Sequence, residues 1–344
     1  MINLKKLFAF IILLFTFTVP TLAITNVDSS YVVMETSSKR ILEGNNLHKQ
    51  YLVASTAKIL TAITAIEHYS LSEEVKVTKE DTLEPGSKVY LKVDEVLTRK
   101  DLLYALMLRS ANDAASALSG HNSKEFIKLM NDTAKKIGMM NSVFTNASGL
   151  DEREYNLSTA YDMALLSAYA AKNEDFVAIS AAHQYNCSTK DSKYYWLNKH
   201  KLVARDESFL WGKTGFTKKS RRILVSNYQK DNKNLIIVTI NDGNDWNHHQ
   251  NFAKDNQKYD FITIFKKGVY DTKQSVSYYI HIPNDIVLPI KKNEEENVRM
   301  FFKLYKTYAI LEVYLNNQLV IQQRIDVYDK ESFDIDRVID IFNT

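Results

Sequence analysis

Cysteine is nearly absent. Cys187 is the only one in 344 residues, which excludes an intramolecular disulfide and any small disulfide-stapled architecture. It stands in the polar stretch Gln184-Tyr185-Asn186-Cys187-Ser188 and reads as an incidental thiol rather than a nucleophile. Nine glycines and four prolines are too few for collagen-like repetition or a low-complexity linker. Charge of one sign is lacking too: 44 basic side chains face 41 acidic ones for a net +3, and Lys5 and Lys6 supply two of those positive charges. No basic stripe argues for nucleic acid. His248-His249 are adjacent, so their side chains point apart on a regular element, and no ligand cluster surrounds them. Neither a metal nor a cofactor is expected.

A long apolar run occurs once, at the N-terminus. Lys5-Lys6 precede the run Leu7–Phe17, broken only by Thr16, and Val19-Pro20-Thr21-Leu22-Ala23 adds a helix breaker and a small residue. This pattern predicts a secretory signal peptide over 1–23. The competing reading is an uncleaved anchor, which the length and Pro20 disfavour. Either way the chain is exported through the cytoplasmic membrane, to an extracellular or cell-wall location. A secreted protein without disulfides suits a bacterial cell envelope. The last stretch, Asp334–Thr344, carries three aspartates against one arginine, so an anionic bilayer would repel it and no C-terminal membrane anchor is evident.

The whole chain is 45% hydrophobic and 25% charged, enough for a large core and a second, smaller domain. Tyr31–Met34 and Ile41-Leu42 read as strands joined by a turn at Ser37-Ser38-Lys39. Apolar residues at helical spacing predict helices over Ser55–His68, Arg99–Leu118, Glu125–Ile137 and Thr159–Ala171, with Gly138 as a C-cap. Ile223–Ser226 and Leu235–Ile240 are apolar runs rich in β-branched residues around a polar turn, as in a hairpin at the centre of a sheet. Strands at both ends with helices between predict an α/β (α+β) arrangement, an antiparallel sheet flanked by helices. From about Gly268 helical periods nearly stop. Tyr278–Ile282, Val287–Ile290, Ile310–Leu315 and Leu319–Val327 read as strands, the last two joined at Asn316-Asn317-Gln318. The charged stretch Lys291–Glu296 reads as a solvated loop. The expected division is a signal peptide 1–23, a main domain 24–268 and a small β-rich domain 269–344.

Three strings carry the chemistry, in this order: Ser55-Thr56-Ala57-Lys58, Ser110-Ala111-Asn112 and Lys213-Thr214-Gly215. Together they are the signature of a serine enzyme that acylates itself on a peptide or β-lactam carbonyl. Ser55 and Lys58, three apart at a helix start, share one face. A serine hydroxyl needs a base, and lysine serves only when neutral. Burial lowers its pKa, and so does a second cation. If Lys213 is that cation, two charges about 4 Å apart at an effective dielectric near 20 repel by ~4 kcal/mol, or about three pKa units. Lys58 is then neutral and Lys213 charged. Ser110 and Asn112 do not face one way on a regular helix, but converge if a turn separates two helices. Ser110 can then relay a proton, and Asn112 can hold Lys58 and the substrate amide. Lys213 and Thr214 suit a substrate carboxylate, Gly215 permits close backbone approach, and the N–H groups of Phe216 and Ser55 can form an oxyanion hole. Each string alone is as easily a set of solvated surface residues; the order of all three is what carries weight.

The chain resembles the serine-type D-alanyl-D-alanine carboxypeptidases, the low-molecular-mass penicillin-binding proteins. The likeness adds Val32-Val33-Met34-Glu35, Ala54 and Ile59-Leu60-Thr61-Ala62 around the first string, Gly86–Lys92, Leu102–Arg109, Gly149-Leu150-Asp151 and Ser158–Ala164, and it covers roughly 30–265. It implies a β-lactamase/penicillin-binding transpeptidase-like fold and removal of the terminal D-alanine from peptidoglycan stem pentapeptides. It also implies β-lactams as covalent inhibitors, with Ser55 as nucleophile, Lys58 as proton acceptor, Ser110 as relay and Lys213 as carboxylate anchor. Three departures stand out. Asn156-Leu157 replace a frequent His-Tyr pair, and Ser220-Arg221-Arg222 replace small residues. No arginine lies in Asp245-Trp246-Asn247-His248, so Arg221 or Arg222 is the candidate replacement for the carboxylate-binding arginine. The rival functions are a serine β-lactamase, for which Glu152 or Glu154 would be the deacylating base, and a non-catalytic peptidoglycan-binding protein on the same scaffold.

Overall fold

The computed structural model describes residues 28–152, 155–255, 258–271, 278–292, 294–305, 307–329 and 339–340. The segment 1–23 that is expected to be a signal peptide, Glu154 and most of 334–344 lie outside these. Five strands form the central antiparallel sheet, in the spatial order Ile41–Asn45, Ser30–Glu35, Lys233–Ile240, Arg221–Lys230, Phe209–Thr217. The apolar runs of the inner strands follow from burial on both faces. Val32, Met34, Ile236, Val238, Ile240, Ile223 and Val225 join the core of the helical lobe. The alternate residues Val33, Leu235 and Ile237 pack on the opposite face with Trp246 and Phe252 of the helix Asp245–Lys254. Successive side chains of a strand point to opposite faces, so both runs must be apolar.

Two of the expected helices are modified where the chemistry is expected. The helix predicted from Ser55 opens instead as a 3-10 turn, Ala54–Ala57, and becomes α-helical over Lys58–His68. Ala54 has φ 43°, a left-handed conformation that an alanine adopts at a cost of roughly 1–2 kcal/mol. The stretch Arg99–Leu118 is not one helix. It runs Arg99–Arg109, stops at Ser110 (φ 61°, ψ 36°), and restarts over Asn112–Ser119. The Asn112 amide donates to Ser87 O at 2.7 Å, so a neighbouring loop satisfies the group that a continuous helix would have bonded internally. Lys124–Ile137 and Ala160–Ala170 form close to expectation, and Gly138 ends the former with φ 96°.

The C-terminal region holds a six-stranded sheet with its own core of Phe265, Ile280, Ile282, Leu288, Leu311, Val313 and neighbours. Tyr308–Leu315 and Gln318–Asp329 pair through Asn316 and Asn317, whose φ values of 51° and 62° are those of a two-residue hairpin turn. Asp260–Phe265 pairs with Ile286–Ile290. The turn 36–40 of the central sheet meets this region. Ser37 Oγ lies 3.1 Å from both Val287 O and Val287 N, Arg40 pairs with Glu294 at 3.1 Å, and Arg40 also donates to Pro289 O. Glu294 therefore leaves the solvated loop expected over Lys291–Glu296 and joins this contact. Among the described residues no helix is long and apolar enough to cross a membrane.

Candidate active site

The three strings meet in one place. Lys58 Nζ is 3.1 Å from Ser55 Oγ and 2.7 Å from Asn112 Oδ1, and it also contacts Ser148 O. Lys213 Nζ is 2.9 Å from Ser110 Oγ and 2.9 Å from Thr214 O. Lys58, Ser110, Asn112 and Lys213 are all buried, whereas Ser55 is partly open. The left-handed turn at Ser110 is what lets Ser110 and Asn112 face the same space. Backbone strain of roughly 1–3 kcal/mol is tolerated where the surroundings hold it. Here the first turn after the break is held by Asp113, whose carboxylate accepts from Val89 N and Leu91 N at 3.1 and 3.2 Å.

Glycines set the close contacts. At Gly149, with φ 81°, an added Cβ would stand 1.9 Å from Ala54 O and 2.9 Å from Ser55 N. No side chain fits between this loop and the turn that carries Ser55. At Gly86, with φ 82°, a Cβ would stand 2.8 Å from Asn112 Nδ2, the atom that donates to Pro85 O at 2.6 Å. At Gly215 the Cβ would meet Thr56 Cγ2 at 3.2 Å and Thr56 N and Val53 O at 3.3 Å. The space that Gly215 leaves is thus occupied by the Ala54–Ala57 turn, which sits directly against the edge strand Phe209–Thr217. Phe216 follows on that strand with its ring exposed.

Electrostatics at the two lysines depart from simple mutual repulsion. The Lys58 pKa is driven well below the ordinary lysine value, first by burial and then by the charge of Lys213. The Lys213 pKa is itself lowered to about 7, again by burial first and then by Lys199. Lys213 is therefore a titrating group near neutrality, not the permanent cation expected from the sequence. Burial, not the second ammonium, dominates at both.

Residues that the strings did not reveal complete the site. Ser148 contributes only its carbonyl. Its loop is held by Asn156, whose Oδ1 accepts from Thr145 N at 2.8 Å and Asn146 N at 3.2 Å, while its Nδ2 donates to Asn146 O at 2.9 Å. Asn156 is one of the departures noted above, and its role here is to brace the loop that meets Lys58. Thr217 Oγ1 donates to Asp151, and Lys219 Nζ donates to Asp151 O at 2.8 Å. Arg222 forms a two-point pair with Asp245, at 3.2 and 2.6 Å, and so is engaged by the helix Asp245–Lys254. Arg221, opposite Thr217 and exposed, is the arginine left near the edge strand. Glu152 is exposed. His248 Nδ1 lies 2.7 Å from Asp242 Oδ2, and His249 Nδ1 lies 2.8 Å from Ser226 Oγ. Burial raises the Cys187 thiol to about 12, which leaves it protonated and unreactive at neutral pH.

Comparison with known proteins gives a consistent result. The family profile for D-alanyl-D-alanine carboxypeptidase, peptidase S11, matches residues 18–244. The D-alanyl-D-alanine carboxypeptidase DacF of Bacillus subtilis is 28% identical over 220 residues, which is 61% of this chain and 56% of that protein. The match thus spans little more than half the length of that relative. A D-alanyl-D-alanine endopeptidase of Haemophilus influenzae is 30% identical over 62% of this chain and 75% of its own. Among solved structures, a D-alanyl-D-alanine carboxypeptidase of Mycobacterium tuberculosis superposes with TM-score 0.59 at 27% identity, covering 61% of this chain and 81% of that one. The DacD protein of Francisella tularensis superposes with TM-score 0.65 over 89% of this chain and 94% of its own, at 20% identity, a likeness of fold that extends into the C-terminal region.

Proposed function

Since the chain belongs to the family of D-alanyl-D-alanine carboxypeptidases, we propose that it removes the terminal D-alanine from peptidoglycan stem pentapeptides through an acyl-enzyme on Ser55. One observation carries the reading: Lys58 Nζ stands 3.1 Å from Ser55 Oγ while Lys213 Nζ stands 2.9 Å from Ser110 Oγ. Neutral Lys58 takes the Ser55 proton as Oγ bonds to the carbonyl carbon of the penultimate D-alanine. The N–H groups of Ser55 and Phe216 receive the oxyanion. This is geometrically reasonable because Gly215 seats that strand on the Ala54–Ala57 turn. As the C–N bond breaks, the proton on Lys58 reaches the leaving amine through Ser110. Water then cleaves the ester, releases the shortened peptide and restores Ser55. Asn112 binds the substrate amide, and protonated Lys213 with Thr214 holds the terminal carboxylate.

The proposal includes export directed by residues 1–23, a catalytic unit over 24–268 and a β-rich unit over 269–344. It also makes β-lactams covalent inhibitors, because their carbonyl meets the same serine. The test is mass spectrometry of the protein with penicillin. A stable adduct on Ser55, absent in Ser55→Ala, supports the reading, together with D-alanine release that the variant loses. Adduct turnover within seconds would instead make the protein a β-lactamase. The relative named D-alanyl-D-alanine endopeptidase supplies the competing substrate. Faster cleavage of a cross-linked peptide dimer than of the pentapeptide would move the activity there.

A further inference from the structure

Beside the Ser110 turn lies a groove of about 730 Å³ between the Lys88–Lys92 stretch and the strand Lys193–Leu197. Lys88, Lys92, Arg109 and Lys193 line it, against one carboxylate, Asp191. Three of the four cationic heads are fixed by carbonyls. Lys88 Nζ donates to Thr82 O, Lys92 Nζ to Asp191 O and Arg109 Nη1 to Leu197 O, each at 3.1 Å. A carbonyl orients an ammonium or guanidinium without neutralising it, so the field in the groove stays positive. The Lys92 bond joins the Lys88–Lys92 stretch to the turn before the strand Lys193–Leu197, and the Arg109 bond joins that strand to the helix Arg99–Arg109, which pre-forms the groove.

Tyr90 and Tyr195, both lining residues, are 78% and 60% exposed. Tyr90 has φ 62°, a conformation that a bulky residue adopts only when its surroundings enforce it. Asp113 enforces it by accepting from Val89 N and Leu91 N on either side of Tyr90. The same stretch is joined to the reacting groups. Ser87 O accepts from Asn112 N at 2.7 Å, and Arg109 immediately precedes Ser110. A strained, solvent-facing tyrosine and four cations, with Lys193 on the facing strand, therefore line the groove that adjoins the cleft.

We propose that this groove binds an acidic segment of the substrate peptide upstream of the scissile D-Ala–D-Ala bond, its carboxylates on the four cations and its backbone against the two tyrosines. The inference rests on the peptidase reading of the cleft. Because the contacts lie away from the reacting bond, they act on substrate and transition state alike and appear in KM.

The experiment compares a neutral N-acylated peptide ending in D-Ala-D-Ala with the same peptide carrying two glutamates at its N-terminal end. The native protein should favour the acidic peptide about tenfold in kcat/KM, mostly through KM, as a few partly screened charge contacts allow. The preference should shrink at about 0.5 M salt. Lys88→Ala with Lys193→Glu should erase it and leave kcat/KM for the neutral peptide unchanged, whereas Lys193→Arg should keep it. Equal rates for both peptides in the native protein, or a preference that survives the double variant, would overturn the groove and leave the peptidase reading standing. Failure to cleave either peptide would overturn the peptidase reading instead. Fluorescence anisotropy of the labelled acidic peptide on Ser55→Ala protein, with and without the double substitution, then reads the groove apart from turnover.

Discussion

Around Ser55 the protein buries Lys58, Lys213, Asn112, Asp113 and Ser110 together and holds Ala54 and Ser110 in left-handed backbone. The C-terminal sheet is built the other way. Its core is aliphatic and aromatic, Glu312 is the one buried charged residue among its described positions, and its left-handed residues, Asn316 and Asn317, sit in an ordinary hairpin turn. Both regions are β-sheets with well-filled cores, antiparallel except where Gly268–Asp271 pairs with Ile339–Asp340 in the second, so packing alone does not separate them. What differs is where desolvation acts. In the first region it lowers the basicity of the two amines of Lys58 and Lys213, which the proposed reaction would use, and in the second it only holds strands together. Buried ionisable groups held by hydrogen bonds, together with strained backbone, distinguish the first region from the second.

The sharpest way to test that contrast is Lys58→Met. Acylation by labelled penicillin should fall by about 10³-fold or more, as loss of a general base allows, while the protein stays folded by circular dichroism. A loss below tenfold would break the contrast at its centre. Gly149→Ala comes next. The new Cβ collides with the Ala54 backbone, so acylation should fall about 100-fold and urea unfolding should show a loss of about 2–4 kcal/mol. Wild-type stability in that variant would mean that the loop and the Ser55 turn are not in contact. Ser110→Gly separates strain from chemistry. Glycine adopts the left-handed turn freely, so the thermal midpoint should stay within about 2 °C while D-alanine release drops some tens of fold for lack of the hydroxyl relay, on the order of the smaller acid–base effects.

The pH dependence is subtler. In the proposed mechanism Lys213 acts as a cation, and its pKa is lowered to about 7 in the folded protein, so kcat/KM should decline above that pH. In the same mechanism Lys58 acts as a base, so the rate should also fall at acid pH, as it gains a proton. Stability runs oppositely. Unfolded, Lys213 keeps its proton up to about the ordinary lysine value near 10.4. Between about 7 and that value the unfolded state binds more protons, and the contribution of Lys213 to stability rises with pH. Activity and thermal midpoint measured over the same series should diverge. Parallel curves would remove Lys213 as the titrating group. The smallest effect should come from Arg40→Ala, at the contact with Glu294 and Pro289. We expect a loss of about 1 kcal/mol and unchanged D-alanine release. An activity loss above a few fold would show that the C-terminal sheet does more than pack.

The site was legible where it depends on side-chain identity. Ser55, Lys58, Ser110, Asn112, Lys213 and Thr214 stand in recognisable strings, and the structure brings their segments into one cluster. The sheet strands were legible because burial on both faces leaves continuous apolar runs at Ile223–Ser226 and Leu235–Ile240. The break at Ser110 was legible only as the condition for Ser110 and Asn112 to converge, because apolar spacing continues through it from Leu106 to Leu118 and the interruption comes from a bond to Ser87 O in another loop. Ser148 was invisible because a carbonyl leaves no mark on residue type. Asn156 looked like a mere departure until its bonds to Thr145 and Asn146 were seen. Arg222 looked available until Asp245 was found against it.

Gly215 has one more consequence. With Thr56 filling the place of its absent side chain, the edge strand packs closely against the serine turn at Gly215. Those two walls are expected to move as one body. Any adjustment that the proposed substrate requires is then expected at the opposite rim, where the Lys88–Lys92 stretch meets the 184–197 hairpin through the hydrogen bond from Lys92 Nζ to Asp191 O.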